Sequence, residues 1–332
     1  MIGMRDGRIH LAMLGWSLLS LSGLACATAP VSEPQADVAL PAPVRQSLDE
    51  AWWTGPMMAN NAATLPQGHY LIEPYLYDVR SSQGDSFGSL TYMEYGVTDR
   101  LTVGAIPTFG YNRPNDGPVS SGVRVGDVSL LAQYGLTQFH EGSALPTIAL
   151  MIQETFPTGR YDRLGQRLAD GQGAGAYTTT LQINTQTYLW MPSGRILRMR
   201  FNVGRSFSRH VHVEDVSVYG TPDGFRGTAS SGNAFFINAA WEYSLTQRWV
   251  LAFDLSYRRS DETRVRGYRT DAVSGFQENI RSASHPSETF GFAPAIEYNW
   301  SSQLGVLIGV RVFTGRHSPT TVTPAIALNY AH

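Results

Sequence analysis

The stretch Leu197-Arg198-Met199-Arg200-Phe201-Asn202-Val203 alternates strictly between apolar and polar side chains. Successive residues of a β-strand point to opposite faces, so Leu197, Met199, Phe201 and Val203 share one face. Arg198, Arg200 and Asn202 share the other. A soluble sandwich would turn the polar face to outside water. A transmembrane barrel would turn the apolar face to lipid and the polar face to its lumen. That choice decides most of what the chain can do.

Twelve such segments follow one another from Gln67 onward, near 68–80, 87–97, 101–112, 125–137, 146–156, 176–190, 196–208, 230–244, 248–260, 287–299, 304–315 and 320–331. Their connections sort by length. Short ones lie at 98–100, 138–145, 192–194, 245–247 and 301–303. Longer ones lie near 113–124, 157–175, 209–229 and 261–286, while 81–86 and 316–319 are modest. Outer-membrane barrels have an even strand number, tight periplasmic turns and longer outside loops. A sandwich has no reason to sort its loops this way. The expected fold is all-β, a transmembrane antiparallel up-and-down barrel of about 12 strands behind a short N-terminal periplasmic segment.

Aromatic placement is an independent check. Tyr70, Tyr95, Tyr134, Trp190, Tyr243, Trp249, Tyr298, Trp300 and Tyr330 fall at strand ends beside the short turns, at the start of the first strand or at the end of the last. They form one ring at headgroup level, and Phe109, Tyr111, Phe156, Phe207, Tyr257 and Phe313 supply the other. Tyr330 is the residue the outer-membrane insertion machinery would read. Pro74, Pro107, Pro157, Pro294 and Pro324 fall within or at the ends of strands, and each predicts a bulge or a strand end.

The start of the chain agrees with export. Arg5 and Arg8 precede an apolar run, Leu11 to Leu24, that ends in Ala25-Cys26-Ala27. This is the layout of a signal peptide over 1–27, cleaved after Ala27. A lipobox ending at Cys26 is the alternative, with Gly23 where a large aliphatic is usual. Cleavage removes the only cysteine, so the mature chain has no disulfide or thiol chemistry. Residues 28–66 read as a periplasmic linker or plug and 67–332 as the barrel, in the outer membrane of a Gram-negative bacterium. Ser47-Leu48-Asp49-Glu50 has the spacing of a capping box. Every one of the 25 basic residues is arginine, and the net charge of −2 becomes about −3 without the leader. No basic patch argues for nucleic acid.

Several segments carry a resemblance. They are Thr54-Gly55-Pro56-Met57-Met58, Thr64-Leu65-Pro66-Gln67-Gly68-His69, Ile72-Glu73-Pro74-Tyr75, the run from Tyr95 to Gly104, Gly126-Asp127-Val128-Ser129-Leu130 and Thr155-Phe156-Pro157-Thr158-Gly159-Arg160-Tyr161. Together they resemble the outer-membrane transporters named for the meta-cleavage pathway of phenol degradation. That resemblance implies an outer-membrane barrel admitting small, often aromatic, compounds.

Turning the apolar sets to lipid places the charges inside. Lipid-facing Arg near the midplane would cost about 2–4 kcal/mol each. The expected lumen residues are Arg198, Arg200, Arg258 and Arg311 on a basic side and Glu73, Glu94, Glu242, Asp254 and Glu297 on an acidic side. Asp127, Gln133, Gln153, Gln182, Asn184, Gln186, Asn202, Asn238 and Asn299 join them. Trp52 and Trp53 argue against a wholly solvated tail, so Trp52 to Leu65 is a candidate plug. The leading function is an outer-membrane channel or transporter for small molecules. Its partners would be a small solute, the lipid bilayer and the insertion machinery, with a monomeric barrel and no cofactor. The alternative is a closed barrel with a structural, adhesion or envelope role, its lumen charges paired with one another.

Catalysis has weaker support. None of the G-x-S-x-G, H-E-x-x-H, paired C-x-x-C or P-loop spacings occurs. His210, His212 and Glu214 would share one face of an extended strand, where a metal could meet them. The plainer reading is a polar strand extension in an outside loop. The segment 162–175, with Arg, Asp and many glycines, is either a mobile loop or one folded into the mouth.

Overall fold

The computed structural model describes residues 44–270 and 275–332. The expected signal peptide, with its cleavage after Ala27, lies outside the described residues. The strands are β1 (Tyr70–Ser81), β2 (Gly84–Thr98), β3 (Leu101–Ile106), β4 (Thr108–Pro114), β5 (Arg124–Val125), β6 (Val128–Thr137), β7 (Thr147–Phe156), β8 (Thr178–Trp190) and β9 (Ile196–Ser208). They continue as β10 (His210–Glu214), β11 (Phe225–Ser230), β12 (Ala234–Ser244), β13 (Trp249–Ser260), β14 (Arg264–Thr270), β15 (Gln277–Ala283), β16 (Ser287–Asn299), β17 (Leu304–Arg316) and β18 (Ser318–Ala331).

The wall runs β1-β18-β17-β16-β13-β12-β9-β8-β7-β6-β3-β2, and β2 returns to β1. Every pairing is antiparallel, and Leu71 faces Glu94 on one side and Ala331 on the other where the barrel closes. β3 and β4 both pair with β2 and make one wall strand interrupted at Pro107, so the barrel has twelve strands. Closure gives each of the twelve wall strands a neighbour on both sides, as backbone in a bilayer requires. Among the described residues no helix is long and apolar enough to cross a membrane; the crossing is made by strands.

The burial pattern rules out the sandwich. Leu150, Ile152, Leu181, Leu251, Leu255, Ile308 and Ile326 are each more than 40% exposed, while Asn184, Asn202, Glu242, Asp254 and Glu297 are fully buried. A soluble protein sorts these residue types the other way round. The apolar belt is edged by aromatic contacts, Trp249 on Tyr298 and Tyr298 on Trp300 near the short turns. Phe156 on Tyr177 and Tyr257 on Phe290 mark the loop side.

Trp190 departs from the expected ring. It shares the parity of Gln182, Asn184 and Gln186, so the pleat turns it inward. Its Nε1 donates to the Gln46 carbonyl at 2.7 Å, and the Arg45 guanidinium lies 3.9 Å over its ring.

The prolines also differ from expectation. Pro107 does split a strand, and β7 ends at Phe156, just before Pro157. Pro74, Pro294 and Pro324 stand inside continuous strands, opposite Thr91, Phe253 and Val310, with no shift of register beside them. Each removes one donor from a ladder held by many, which the flanking pairs tolerate. The register shifts fall instead at Gly96–Thr98, Gly135–Thr137 and Phe313–Gly315.

The segments 209–229 and 261–286, expected as loops, carry a second sheet of order β10-β11-β14-β15 above the barrel. Val211, Val213, Phe225, Ala229 and Val265 form its buried side, packed with Ala176, Tyr161, Tyr219 and Ile280. Four short strands bury little surface alone, so this sheet depends on its one large side chain. Phe225→Ala is expected to cost the sheet about 3–5 kcal/mol. Hydrogen exchange should then accelerate across β10, β11, β14 and β15 while the wall strands stay protected.

Candidate functional site: a lumen filled from both ends

The segment before β1 is an arch inside the barrel. Ser47 to Glu50 makes a single 3-10 turn, with the Ser47 amide donating to the Glu50 carboxylate at 3.1 Å. Gln46 bonds the Gly194 carbonyl and Ser244 near the short turns. The Trp52 amide then donates to the Gln247 carbonyl, and Asn299 donates to the Trp52 carbonyl. The chain rises to an apex at Met57–Asn60 and descends the opposite wall. There the Leu65 amide donates to Thr102 and the Thr64 hydroxyl to the Asp99 carbonyl. A Cβ at Gly96 would overlap the Pro66 carbonyl, so glycine lets the descending arm pass that close to β2.

The lumen side chains hold this arch chiefly by its backbone. Asp254 accepts from the amides of Met57, Met58 and Ala59 at 2.9, 3.2 and 3.0 Å. Glu297 accepts from the Thr54 amide at 2.7 Å. Arg200 donates to the Ala59 carbonyl at 3.0 Å and Asn202 to the Asn60 carbonyl at 3.1 Å. An irregular segment cannot satisfy its own amides and carbonyls, so inside a barrel the wall must do it. The inward carboxylates and amides supply that need.

An ion cluster lies beside the arch. Glu242 bridges Arg198 and Arg200, through Arg198 Nε at 2.7 Å and Arg200 Nε at 3.1 Å. The register explains it, since Glu242 faces Arg198 directly and Arg200 is the next inward residue on β9. The Arg198 guanidinium also sits 4.4 Å over the Trp53 ring.

Against the expected basic and acidic sides, the structure brings Arg198, Arg200 and Glu242 into one ion cluster. Asp254 and Glu297 bind the arch. Glu73 accepts from Asn329 at 3.1 Å and lies with Glu94 across a cavity of about 190 Å³. That cavity separates the arch from β1, β2, β6 and β7, with Tyr75, Tyr92, Leu131 and Met151 among its lining. Arg258 and Arg311 stand apart from the cluster; Arg311 lies 5.4 Å over Tyr77, and Arg258 reaches Ser260. Gln46, Asp99, Thr102 and Asn329 also hold the arch or its surroundings and were not singled out from the sequence. The first two lie outside the alternating strands, where face arguments do not apply.

The loop side is filled too. The segment between β7 and β8 folds against the inner wall, where Asn112 donates to the Ala169 carbonyl and Ser120 does the same. A Cβ on Gly110 would overlap the Gln172 amide. Asp127 ties the neck of this loop by accepting from the Gly159 and Ala174 amides. Asp170, 3% exposed, accepts from the Ser121 amide at 2.8 Å and from Arg124. The Ser121 amide first, then its hydroxyl and Arg124, hold the Asp170 carboxyl below its ordinary value. A depressed carboxyl stabilises the folded loop above the ordinary Asp value of about 3.9, and the gain is lost as pH falls through the lower folded value. Asp170→Asn should therefore loosen the loop at neutral pH. The check is faster amide exchange over 168–174, with little further change on acidification.

At the position where a metal is the lesser alternative, His210 and His212 are exposed, and the Glu214 carboxylate is engaged by Arg163.

The fold has a counterpart among solved structures. An outer membrane channel from Pseudomonas putida F1 is similar over 83% of this chain and all of its own, at 14% identity and a TM-score of 0.60. Weaker likenesses are the porin NanC (9% identity, 78% of this chain and 98% of that one, TM-score 0.43) and the translocator domain of the autotransporter NalP from Neisseria meningitidis (11%, 79% and 87%, TM-score 0.41). No curated protein matches the chain in sequence. The protein is thus an outer-membrane barrel by fold. Residues 60–325 match the family described as "Putative MetA-pathway of phenol degradation", and the chain belongs to that family.

Proposed function

We propose that this protein is an outer-membrane channel or transporter for small molecules, plugged from the periplasm by its own N-terminal segment. One observation carries the reading: most ties between the arch and the lumen wall are separable hydrogen bonds, and its apolar packing is concentrated at Met57 and Met58. A closing element held this way can leave and return. Residues 1–27 would be a signal peptide and 28–66 the segment that contains the plug. The barrel is a monomer placed by the insertion machinery, and the reading gives it no catalysis. Aromatic and sulfur side chains along the cavity suit small aromatic or hydrophobic solutes, with the charged lumen beyond them.

A second reading, a closed barrel with an envelope role, is favoured by the Arg198–Glu242–Arg200 cluster and the filling of both ends. Single-channel recording in a planar bilayer separates the two. The full-length chain should show rare or small steps and the form lacking 28–66 frequent, larger ones. Silence in both would favour the closed barrel.

A further inference from the structure

We propose that the outside of the barrel, over β7–β9 and β12–β13, binds a phosphorylated lipid of the outer leaflet. Arg205 sits on the outward face of β9, in series with the exposed Phe201 and Phe207. Among the described residues it has no hydrogen bond or ion pair; its contact is the Phe207 ring, 5.3 Å away. A cation left on a lipid-facing wall is disfavoured unless something anionic meets it there.

Its neighbours form a row. Phe235 stands opposite Arg205 on one side and opposite Arg259 on the other. The two arginines are therefore two strand spacings apart, about 10 Å. Arg259 continues to Glu288 and Arg316 along the same row. The row thus holds three arginines and one carboxylate, which approaches Arg259 only to 3.9 Å. The row lies near the loop ends of its strands, the outer-leaflet side.

Beside this row the outer wall is hollowed. A groove of about 710 Å³ is walled by Leu150, Ile152, Leu181, Ile183 and Val203, with Arg205 at its border. An apolar trough bordered by the unpaired Arg205 guanidinium, with Arg259 two strands away, matches one ligand chemistry, acyl chains joined to a phosphate. Arginine forks bind phosphate through two parallel hydrogen bonds. The groove lies within the apolar belt, so its occupant comes from the membrane.

The test uses the full-length protein in micelles of a neutral detergent. It is titrated with a bis-phosphorylated disaccharide lipid, the dephosphorylated lipid, phosphatidylcholine and inorganic phosphate, and bound lipid is read by native mass spectrometry. The phosphorylated lipid should bind best, and inorganic phosphate should not compete. R205A/R259A should weaken it about tenfold, the loss of roughly one charge-assisted contact. L181W, which fills the groove and keeps both arginines, should also weaken it. Heat-dependent gel mobility shows that each variant is folded. Equal binding of the dephosphorylated lipid, or unchanged affinity in folded R205A/R259A, would overturn the proposal. Displacement by inorganic phosphate, or unchanged affinity in folded L181W, would reject the groove as part of the site.

Discussion

Replacing Glu242 with alanine is expected to lower the unfolding free energy by about 3–5 kcal/mol, the usual cost of stranding a buried charge. Glu242 is fully buried, and the side chains of Arg198 and Arg200 are each only 6% exposed. Without the carboxylate, two guanidinium groups of like charge remain in a confined space. Arg200 keeps its bond to the Ala59 carbonyl, so it cannot swing away without releasing the arch. Unfolding in urea from lipid vesicles, followed by tryptophan fluorescence, measures the loss. The apolar triple R198M/R200M/E242L should recover most of it, because removing all three charges strands none. A wild-type midpoint for E242A would mean that water reaches the cluster and screens it.

The second large effect concerns opening rather than folding. Asp254→Ala removes the acceptor shared by three consecutive arch amides and leaves Met57, Met58 and Ala59 without it. A hydrogen bond to a charged group contributes about 1.5–3 kcal/mol, and three to one carboxylate are not additive. A total near 3 kcal/mol shifts the balance between seated and released arch about a hundredfold. Bilayer recordings of D254A should show long open events that resemble those of the form lacking 28–66. Glu297→Ala, which removes a single amide contact at Thr54, should move the same way by less. D254A steps no more frequent than those of the full-length chain, beside open steps in the truncated form, would show that the arch is held elsewhere.

Much of the wall was legible because its rule is local. The expected segments 196–208 and 287–299 are the observed β9 and β16, and most other strand ends moved by only a few residues. Trp190 shows the same rule neglected, since its parity already turned it inward. The outer sheet was harder. Its strands are short, and the arginines of β14 hide a buried face of little more than Val265. Pro74, Pro294 and Pro324 misled because a closed barrel carries a missing donor that an isolated strand would not.

The lumen charges divide differently. Their inward direction followed from the alternation of apolar and polar residues, and Trp52 and Trp53 marked the segment that enters. What each charge does could not be read there. Opposed basic and acidic sides are what the strand positions suggest, yet Glu242 bridges both Arg198 and Arg200, while Asp254 and Glu297 bind backbone. The sequence by itself determined the wall, its two faces and its two ends, because a pleat of period two is set by adjacent residues. Only the tertiary structure decided the partners inside. Closing the barrel brings Thr54 to Glu297 across 243 positions, and an arch without secondary structure takes its bonds from whatever the closed wall presents.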